Sequence, residues 1–257
     1  MLRGTLFLIF SAFYIVVIAS PGSALVDPGS IVGAWLGDEG DGDVVADASG
    51  NGYDGTIAGE VEWTDGQFGK ALEFAGVAGS RVEIPHDDAL SLAEWTITAW
   101  AKLPTAPARW TVILVKDPAN GVQTYALDMN AAGMVFAEVT SGGGWSDCGS
   151  TTSVTDDEWH FLAASYDGAI LRIYVDGNME KEQNFGAGDA NTAPVTIGDR
   201  MDSTQALVGI VDDVGLFNTA LSEADLDDIM NNGLSNALGL AAVEPDSKLA
   251  TTWGQLK

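Results

Sequence analysis

Residues 159–177 read WHFLAASYDGAILRIYVDG, and this stretch decides the fold class. Two apolar runs flank Asp167-Gly168, a dipeptide typical of a two-residue hairpin turn with positive φ at both positions. A second turn is expected at Asp176-Gly177. In the second run alternate residues are apolar: Leu171, Ile173 and Val175. A period of two predicts strands with one buried face, so the stretch predicts a β-hairpin.

The same kind of pattern covers most of the chain. Short apolar runs alternate with Gly, Asp and Asn, and the sequence contains 31 glycines. Many short strands with a turn every 8–12 residues are typical of an all-β fold, and the absence of a strand–helix alternation argues against a parallel sheet. The predicted strands are 31–36, 70–74, 81–84, 95–102, 111–116, 123–128, 134–139, 159–166, 169–175, 195–197 and 207–217.

One short helix is predicted after the last strand. Ser222 has the position of an N-cap, and Asp225 three residues later completes a capping box. Leu221 and Leu226 occupy the positions of a hydrophobic staple. The helix therefore ends the domain.

The N-terminus has the parts of a secretory signal peptide. A basic start at Met1-Leu2-Arg3 precedes an apolar stretch, 6–19, and small residues up to Ala24. The apolar stretch is shorter than the about 20 residues that span a bilayer. We expect cleavage after Ala24, a single domain over 25–240 and a C-terminal tail over 241–257. The protein is thus expected to be exported, to the periplasm, the cell surface or the medium.

The chain is strongly acidic. It has 37 Asp and Glu against 11 Lys and Arg, a formal net charge of -26. Such a surface repels phosphate backbones and anionic lipids, so nucleic acid and membranes are not expected as partners. Solubility explains the acidity, and carboxylates that bind a hard cation such as calcium would also explain it.

Cys148 is the only cysteine, so no disulfide can form within the chain. It follows a Gly/Ser-rich stretch that we interpret as a flexible loop. We expect a half-buried, inert thiol.

Seven sequence blocks, taken in order, resemble a known family. They are WLGDEG at 35–40, DASGNGYDG at 47–55, FGKALEF at 68–74, VEIP at 82–85, TITAW at 96–100, the hairpin at 159–177 and GIVDDVGLFNTALS at 209–222. Over residues 31–232 the chain resembles the LamG-like jelly-roll domains of the concanavalin A-like lectin/glucanase superfamily. Gly215 departs from the pattern, because these domains usually carry a basic residue there.

The resemblance implies two antiparallel sheets packed face to face, with the first and last strands as neighbours. It also implies recognition outside the cytoplasm, commonly of carbohydrate and sometimes of protein, and often a structural calcium. The fold does not fix the ligand, because function belongs to sites rather than folds.

Calcium is the expected cofactor. The loop 47–52 combines the oxygen donors of Asp47 and Asn51 with glycines, and calcium takes six to eight oxygen ligands. If the terminal strands are neighbours, this loop lies near Asp212, whose carboxylate stands among apolar residues and needs a partner. The alternative is that Asp47 and Asn51 only cap their own turn.

Two tryptophans are candidate ligand contacts. Trp145 follows the Gly-rich stretch and Trp110 follows a Pro-containing segment, whereas Trp35, Trp63, Trp95, Trp100 and Trp159 fall in or beside predicted strands. Aromatic residues on loops of a rigid scaffold commonly mark a binding site. The alternative is that each folds back over the core.

The sequence shows no catalytic constellation. Glucan-cleaving enzymes of this fold carry acidic residues that alternate along one strand. The nearest pattern, Glu60-Val61-Glu62, is more simply two solvent-facing strand residues. His160 is expected to be packed, and His86 to lie in a surface turn. The prediction is a non-catalytic, lectin-like module; a protein-binding adhesion or surface-assembly module is the alternative, and a glycan hydrolase or lyase is the least favoured.

Overall fold

Alternating apolar and polar residues fold into two antiparallel β-sheets that pack face to face. The structure, a computed structural model, describes residues 26–119 and 121–240. The predicted signal peptide, 1–24, and the predicted tail, 241–257, lie outside the described residues. In the part of the chain that is described, no helix is long and apolar enough to cross a membrane.

The described residues form sixteen strands and two α-helices. In chain order they are β1 (Ile31–Trp35), β2 (Val44–Val45), β3 (Gly55–Ala58), β4 (Val61–Asp65), β5 (Lys70–Ala75), β6 (Arg81–Ile84), β7 (Trp95–Lys102), β8 (Thr111–Lys116), β9 (Tyr125–Met129), β10 (Met134–Ser141), β11 (Gly144–Ser153), β12 (Trp159–Tyr166), β13 (Ile170–Val175), β14 (Asn178–Asn184), β15 (Val195–Ile197), β16 (Val208–Phe217), α1 (Glu223–Asn232) and α2 (Leu234–Ala237).

The strands divide into two eight-stranded sheets. Sheet A has the order β14-β13-β12-β7-β16-β5-β4, and β1 also pairs with β16. Sheet B has the order β11-β10-β9-β8-β15-β6-β3-β2. The pairing of β1 with β16 confirms that the first and last strands are neighbours.

Every predicted strand is present to within two residues. The predicted list omits β2, β3, β11 and β14, and β4 is anticipated only around residues 60–62. Four of these five strands lie at the edges of the two sheets.

The hairpin of β12 and β13 is confirmed, but its predicted turn type is wrong. Residues 167–169 form the loop between the two strands, and only Gly168 in it has a positive φ, of 85°. The Asp167 carboxylate accepts the N–H groups of Ala169 and Ile170 at 3.0 and 2.8 Å. The two-residue turn with positive φ at both positions is the next one, at Asp176 (50°) and Gly177 (76°).

The inner faces of the two sheets enclose the main hydrophobic core. Cys148 belongs to it, fully buried on β11, so the prediction of a half-buried thiol in a loop is wrong. The Gly-rich stretch is shorter than expected, because Gly142 and Gly143 form the β10–β11 turn, both with positive φ. Burial raises the pKa of the Cys148 thiol to about 11, which agrees with an inert side chain.

The outer face of sheet A is covered by the two helices. Phe161, Trp100 and Tyr174 project from this face and form a second buried cluster with Leu226 and Ile229 of α1. The predicted N-cap and capping box of α1 are both present. The short helix α2 was not predicted.

Close packing explains the departure from the family pattern at Gly215. A Cβ atom at this position would lie 2.7 Å from Thr98 Oγ1, 2.9 Å from Phe217 Cε2 and 3.2 Å from Leu234 Cδ2. Side chains of the sheet and of helix α2 together therefore occupy the space that a longer side chain would need.

Candidate functional site

Neither of the two described helices covers the outer face of sheet B, and this face carries the candidate site. On β9, β10 and β11 the register places Asp128 opposite Phe136, and Glu138 opposite both Ala126 and Asp147. Residues directly opposite each other in antiparallel strands point to the same face, so these side chains share one surface. Polar and aromatic groups thus replace the apolar pattern of the core.

Both predicted tryptophans lie at this surface. Trp145 is on β11 and 51% exposed, so the prediction of exposure is confirmed although the residue stands on an edge strand and not in a flexible loop. Trp110 immediately precedes β8 and is half-buried. Its ring packs edge-on against Phe136, with centroids 4.8 Å apart. Strands β8 to β11 are adjacent in sheet B, so the two indoles lie at opposite ends of this group of four strands.

A cavity of about 210 Å³ lies between the two tryptophans. Its walls combine the two indoles with five polar or charged side chains. The lining residues are Trp110, Gln123, Asp128, Glu138, Trp145, Arg200 and Gln205.

Two carboxylic acids form the floor of the cavity, and the sequence analysis missed both. Asp128 is 3% exposed, and its Oδ1 atom has no hydrogen-bond partner among the described residues. Gln123 Nε2 donates to Glu138 Oε2 at 3.3 Å. Burial raises the pKa of Glu138 to about 7, and it raises the pKa of Asp128 well above its usual value. Each carboxyl also acts on the other, because they are diagonal neighbours on adjacent strands.

Arg200 is positioned by the loop that follows β15. The fully buried Asp199 holds this loop by accepting the N–H groups of Gly79, Arg200 and Gln205 at 2.8 to 2.9 Å. The Arg200 guanidinium donates to Asp202 at 2.6 and 3.1 Å and to Asp117 at 3.3 Å. The positive charge of Arg200 is therefore already paired with the carboxylates of Asp117 and Asp202, which are not part of the cavity floor.

The residues predicted to bind calcium have other partners. Asp47 accepts the N–H groups of Ala34, Ser49 and Tyr53, each at 3.0 Å. Asn51 donates to the backbone carbonyls of the first strand. Three N–H donors compensate the charge of Asp47, as in the turn-capping alternative. These two residues do not fit a calcium site shared with Asp212.

Asp212, the third residue predicted to bind calcium, differs from Asp47 in that its hydrogen-bond partners are incomplete. It is 1% exposed, its Oδ2 atom accepts the Phe68 N–H at 2.8 Å, and its Oδ1 atom has no partner among the described residues. Burial raises its pKa to about 8, and the neighbouring Asp213 and Asp38 add to the shift. Within the described part of the chain, no group of three or more His, Cys, Asp or Glu side chains is placed to hold a metal.

Neither histidine belongs to the cavity lining. His160 pairs with Asp176 at 2.8 Å and with Asp156 at 3.1 Å, and these carboxylates raise its pKa against the opposing effect of burial. His86 lies 3.0 Å from the buried Lys116 Nζ. The chemistry of the cavity therefore rests on its carboxyl, amide, guanidinium and indole groups.

The comparisons with known proteins define the class. The Laminin_G_3 model, described as the concanavalin A-like lectin/glucanases superfamily, matches residues 76–227, which is more than half of the 257-residue chain. The chain belongs to this superfamily. No curated protein matches the sequence.

Several solved structures share this fold. Domain 4 of AbnA, a GH43 extracellular arabinanase from Geobacillus stearothermophilus, in complex with arabinotriose, is 20% identical with a TM-score of 0.64; the match covers 78% of this chain and 98% of that domain. The binding domain of Paraclostridial Mosquitocidal Protein 1 is 13% identical with a TM-score of 0.67, over 79% of this chain and 52% of that one. The botulinum neurotoxin type G receptor-binding domain is 11% identical with a TM-score of 0.61, over 78% and 51%.

The chain therefore spans about half the length of these two toxin domains and nearly all of the arabinanase domain. At these identities the likeness shows the fold alone. A two-sheet lectin-like sandwich is shown, and the ligand must be argued from the site.

Proposed function

We propose that this chain is an exported, non-catalytic recognition module that binds a glycan in the cavity on sheet B. The observation that carries the proposal is the convergence of Trp110 and Trp145 on one cavity. The sequence predicts each of them independently as a ligand contact, and the fold places both at the same surface. The complex of the arabinanase domain with arabinotriose supports a sugar ligand on this fold.

The cavity has the two kinds of surface that a sugar needs. An exposed indole offers a flat apolar face for the C–H groups of a sugar ring. Gln123, Glu138 and Gln205 offer hydrogen-bond donors and acceptors for its hydroxyl groups. Sites of this kind are mostly preformed, with a few polar groups that fix the orientation of the ligand.

The test is a glycan array with purified protein, run with and without a chelator. We expect binding to a defined set of glycans that is lost in Trp145→Ala. If no glycan binds while a surface protein is retained in a pull-down, the protein-binding alternative replaces this proposal. That alternative is supported by the likeness to a toxin receptor-binding domain.

A glycan hydrolase is the second candidate, and the Asp128–Glu138 pair favours it. Diagonal neighbours on antiparallel strands are roughly 7–8 Å apart at the backbone. Retaining glycosidases hold two carboxyl groups about 5–5.5 Å apart, and they need an acid whose pKa is raised. Release of reducing ends from a bound polysaccharide, abolished by Glu138→Gln, would establish hydrolysis over binding.

Export and a structural calcium are further parts of the proposal. Export rests on the N-terminal sequence, and N-terminal sequencing of the secreted protein should begin at Leu25. For calcium, the unpartnered Oδ1 atom of Asp212 is the supporting observation, with Asp38 and Asp213 as acidic neighbours. Asp47 is not part of this revised site.

A further inference from the structure

The cavity on sheet B carries more negative charge than its lining balances. Asp128 and Glu138 form its floor, and Arg200 is the one cation among the described residues that line it. The Arg200 guanidinium already pairs with Asp117, whose side chain is fully buried, and with Asp202. On the side of β11, Asp147 stands opposite Glu138 and adds negative charge. The lining therefore holds two carboxyl groups and one guanidinium that is already paired with carboxylates outside the lining.

Asp128 provides an independent sign of a missing partner. Its side chain lines the cavity, is 3% exposed, and has an oxygen atom without a hydrogen-bond donor. Leaving a buried acceptor without a donor is unfavourable, and more so when the group is charged. A ligand that brings a donor with a positive charge would remove this cost.

The tryptophans favour the same kind of ligand. The face of an indole attracts cations, most strongly where water is displaced. Trp110 and Trp145 line the cavity that holds the two carboxyl groups. A neutral sugar would use the indole faces and the polar groups, but it would leave the charge uncompensated.

We infer that the cavity binds a glycan residue that carries a free ammonium group, as an amino sugar does. The ammonium lies between the Asp128 and Glu138 carboxylates, and the sugar ring lies against Trp145. Gln123 and Gln205 hydrogen-bond its hydroxyl groups. This inference rests on the proposed glycan-binding function and names the ligand class for it.

The protonation of the carboxyl groups gives the inference a pH signature. Burial raises the pKa of Glu138 to about 7, with Asp117 and Asp147 adding to the shift and Gln123 and Arg200 opposing it. The pKa of Asp128 is raised by burial and by Glu138 and Asp117. A protonated pair attracts an ammonium weakly. Affinity should therefore be highest at the pH where the carboxyl groups have lost their protons and the amine has kept its own, and it should fall on both sides of that pH.

The experiment is isothermal titration calorimetry of the full chain with three oligosaccharides of equal length. They are a β-1,4-linked glucosamine oligomer, the same oligomer with every amine N-acetylated, and a β-1,4-linked glucose oligomer. We expect the glucosamine oligomer to bind at least tenfold more tightly than either neutral one. Equal affinities, or no binding of the glucosamine oligomer, overturn the inference. If neutral glycans still bind, the proposed function stands; if no glycan binds here or on the array, both fail.

A matched pair of variants separates the site from general attraction, because a chain of net charge -26 attracts any polycation. Glu138→Gln removes a negative charge in the cavity, and Glu62→Gln removes one from the exposed edge strand β4. We expect Glu138→Gln to reduce affinity for the glucosamine oligomer at least tenfold and Glu62→Gln to leave that affinity within about twofold of the wild-type value. Equal losses in the two variants would identify non-specific attraction and refute the inference.

Discussion

The outer faces of the two sheets differ in what covers them. On sheet A, the side chains of Trp100, Phe161 and Tyr174 are buried beneath α1 and α2. On sheet B, the corresponding face leaves Trp145 half in solvent and holds the paired acids Asp128 and Glu138. The same strand geometry thus supports a second core on one side and an open polar cavity on the other.

This difference indicates that the helix-covered face of sheet A contributes mainly to stability and the open face of sheet B mainly to recognition. Burial of apolar side chains stabilises the folded state by roughly 25 cal/mol per Å² removed from water. The helix-covered face gains this stabilisation. The open face gains it only from the small buried cluster of Val112, Val115 and Ala126, and it keeps acids that burial penalises, which is typical of binding sites. Substitutions on the two faces should therefore affect different properties, and the following predictions run from the largest expected effect on stability to the smallest.

The helix-covered face should be the more sensitive to truncation. Phe161→Ala removes a fully buried ring that packs against Trp100, with centroids 5.6 Å apart. We expect a loss of roughly 3–5 kcal/mol in the free energy of unfolding, as for other buried aromatic residues. At ~2–4 °C per kcal/mol this lowers Tm by 6–20 °C in a calorimetric scan. Glycan binding by the folded variant at low temperature should persist. A Tm within 2 °C of the wild-type value would show that the helices are not a second core.

Asp212 should make stability depend on pH. The pKa of Asp212 in the folded protein, about 8, is higher than the pKa of an Asp in the unfolded chain. Protonation of Asp212 therefore stabilises the folded state fully below pH 4, and this stabilisation is lost as the pH rises to 8. We expect the stability of the wild type relative to Asp212→Asn to fall by roughly 2–4 kcal/mol between pH 5 and pH 8, in chelator.

Calcium gives this experiment a second arm. If a calcium ion is bound by Asp212, its addition at pH 8 raises Tm of the wild type and leaves Tm of Asp212→Asn where it was. Binding at a hundred times Kd adds about 2.7 kcal/mol. Parallel pH curves for the two proteins, with no response to calcium, would contradict both the raised pKa and the metal.

Most strands with neighbours on both sides were predictable, and β3, which pairs with β2 and β6, is the exception. β7 and β12 read as apolar runs because they are paired on both edges and buried on both faces. The edge strands β11 and β14 have a partner on one side only, and their sequences are mostly polar. Short-range patterns do not identify such strands, because tertiary pairing and not apolar alternation holds them in place.

The site was predictable in part, for a related reason. Trp145 and Trp110 stood out because each is a large aromatic residue outside the core pattern. Asp128 and Glu138 were missed because a search along single strands cannot find acids on adjacent strands. A signal was present all the same: each interrupts an apolar run, as Asp212 does. The register in which β9 and β10 pair brings the two acids together. This register depends on the turn between β9 and β10, which the sequence pattern did not specify.

Cys148 should respond moderately to substitution. Its side chain is fully buried in the main core, so Cys148→Ser places a hydroxyl among apolar groups. An unpaired buried hydroxyl costs about 1–3 kcal/mol, which lowers Tm by ~2–12 °C in the presence of reductant. Cys148→Ala adds no polar group and should lose less. A serine variant as stable as the wild type would mean that the hydroxyl finds a partner on this edge strand.

The smallest effect on stability should come from Trp145, together with the largest effect on binding. Its indole is 51% exposed, so Trp145→Ala removes little buried area and should shift Tm by less than 2 °C. Trp110 is a less clean probe, because its ring packs on Phe136 and its removal disturbs the sheet.

Met179→Ala is the control for the binding experiment, since it truncates an exposed apolar residue on the edge strand of sheet A. We expect Trp145→Ala to weaken glycan binding at least tenfold by calorimetry and Met179→Ala to leave it unchanged. If Trp145→Ala instead lowers Tm as Phe161→Ala does, the open face is part of the core and the contrast between the two faces is lost.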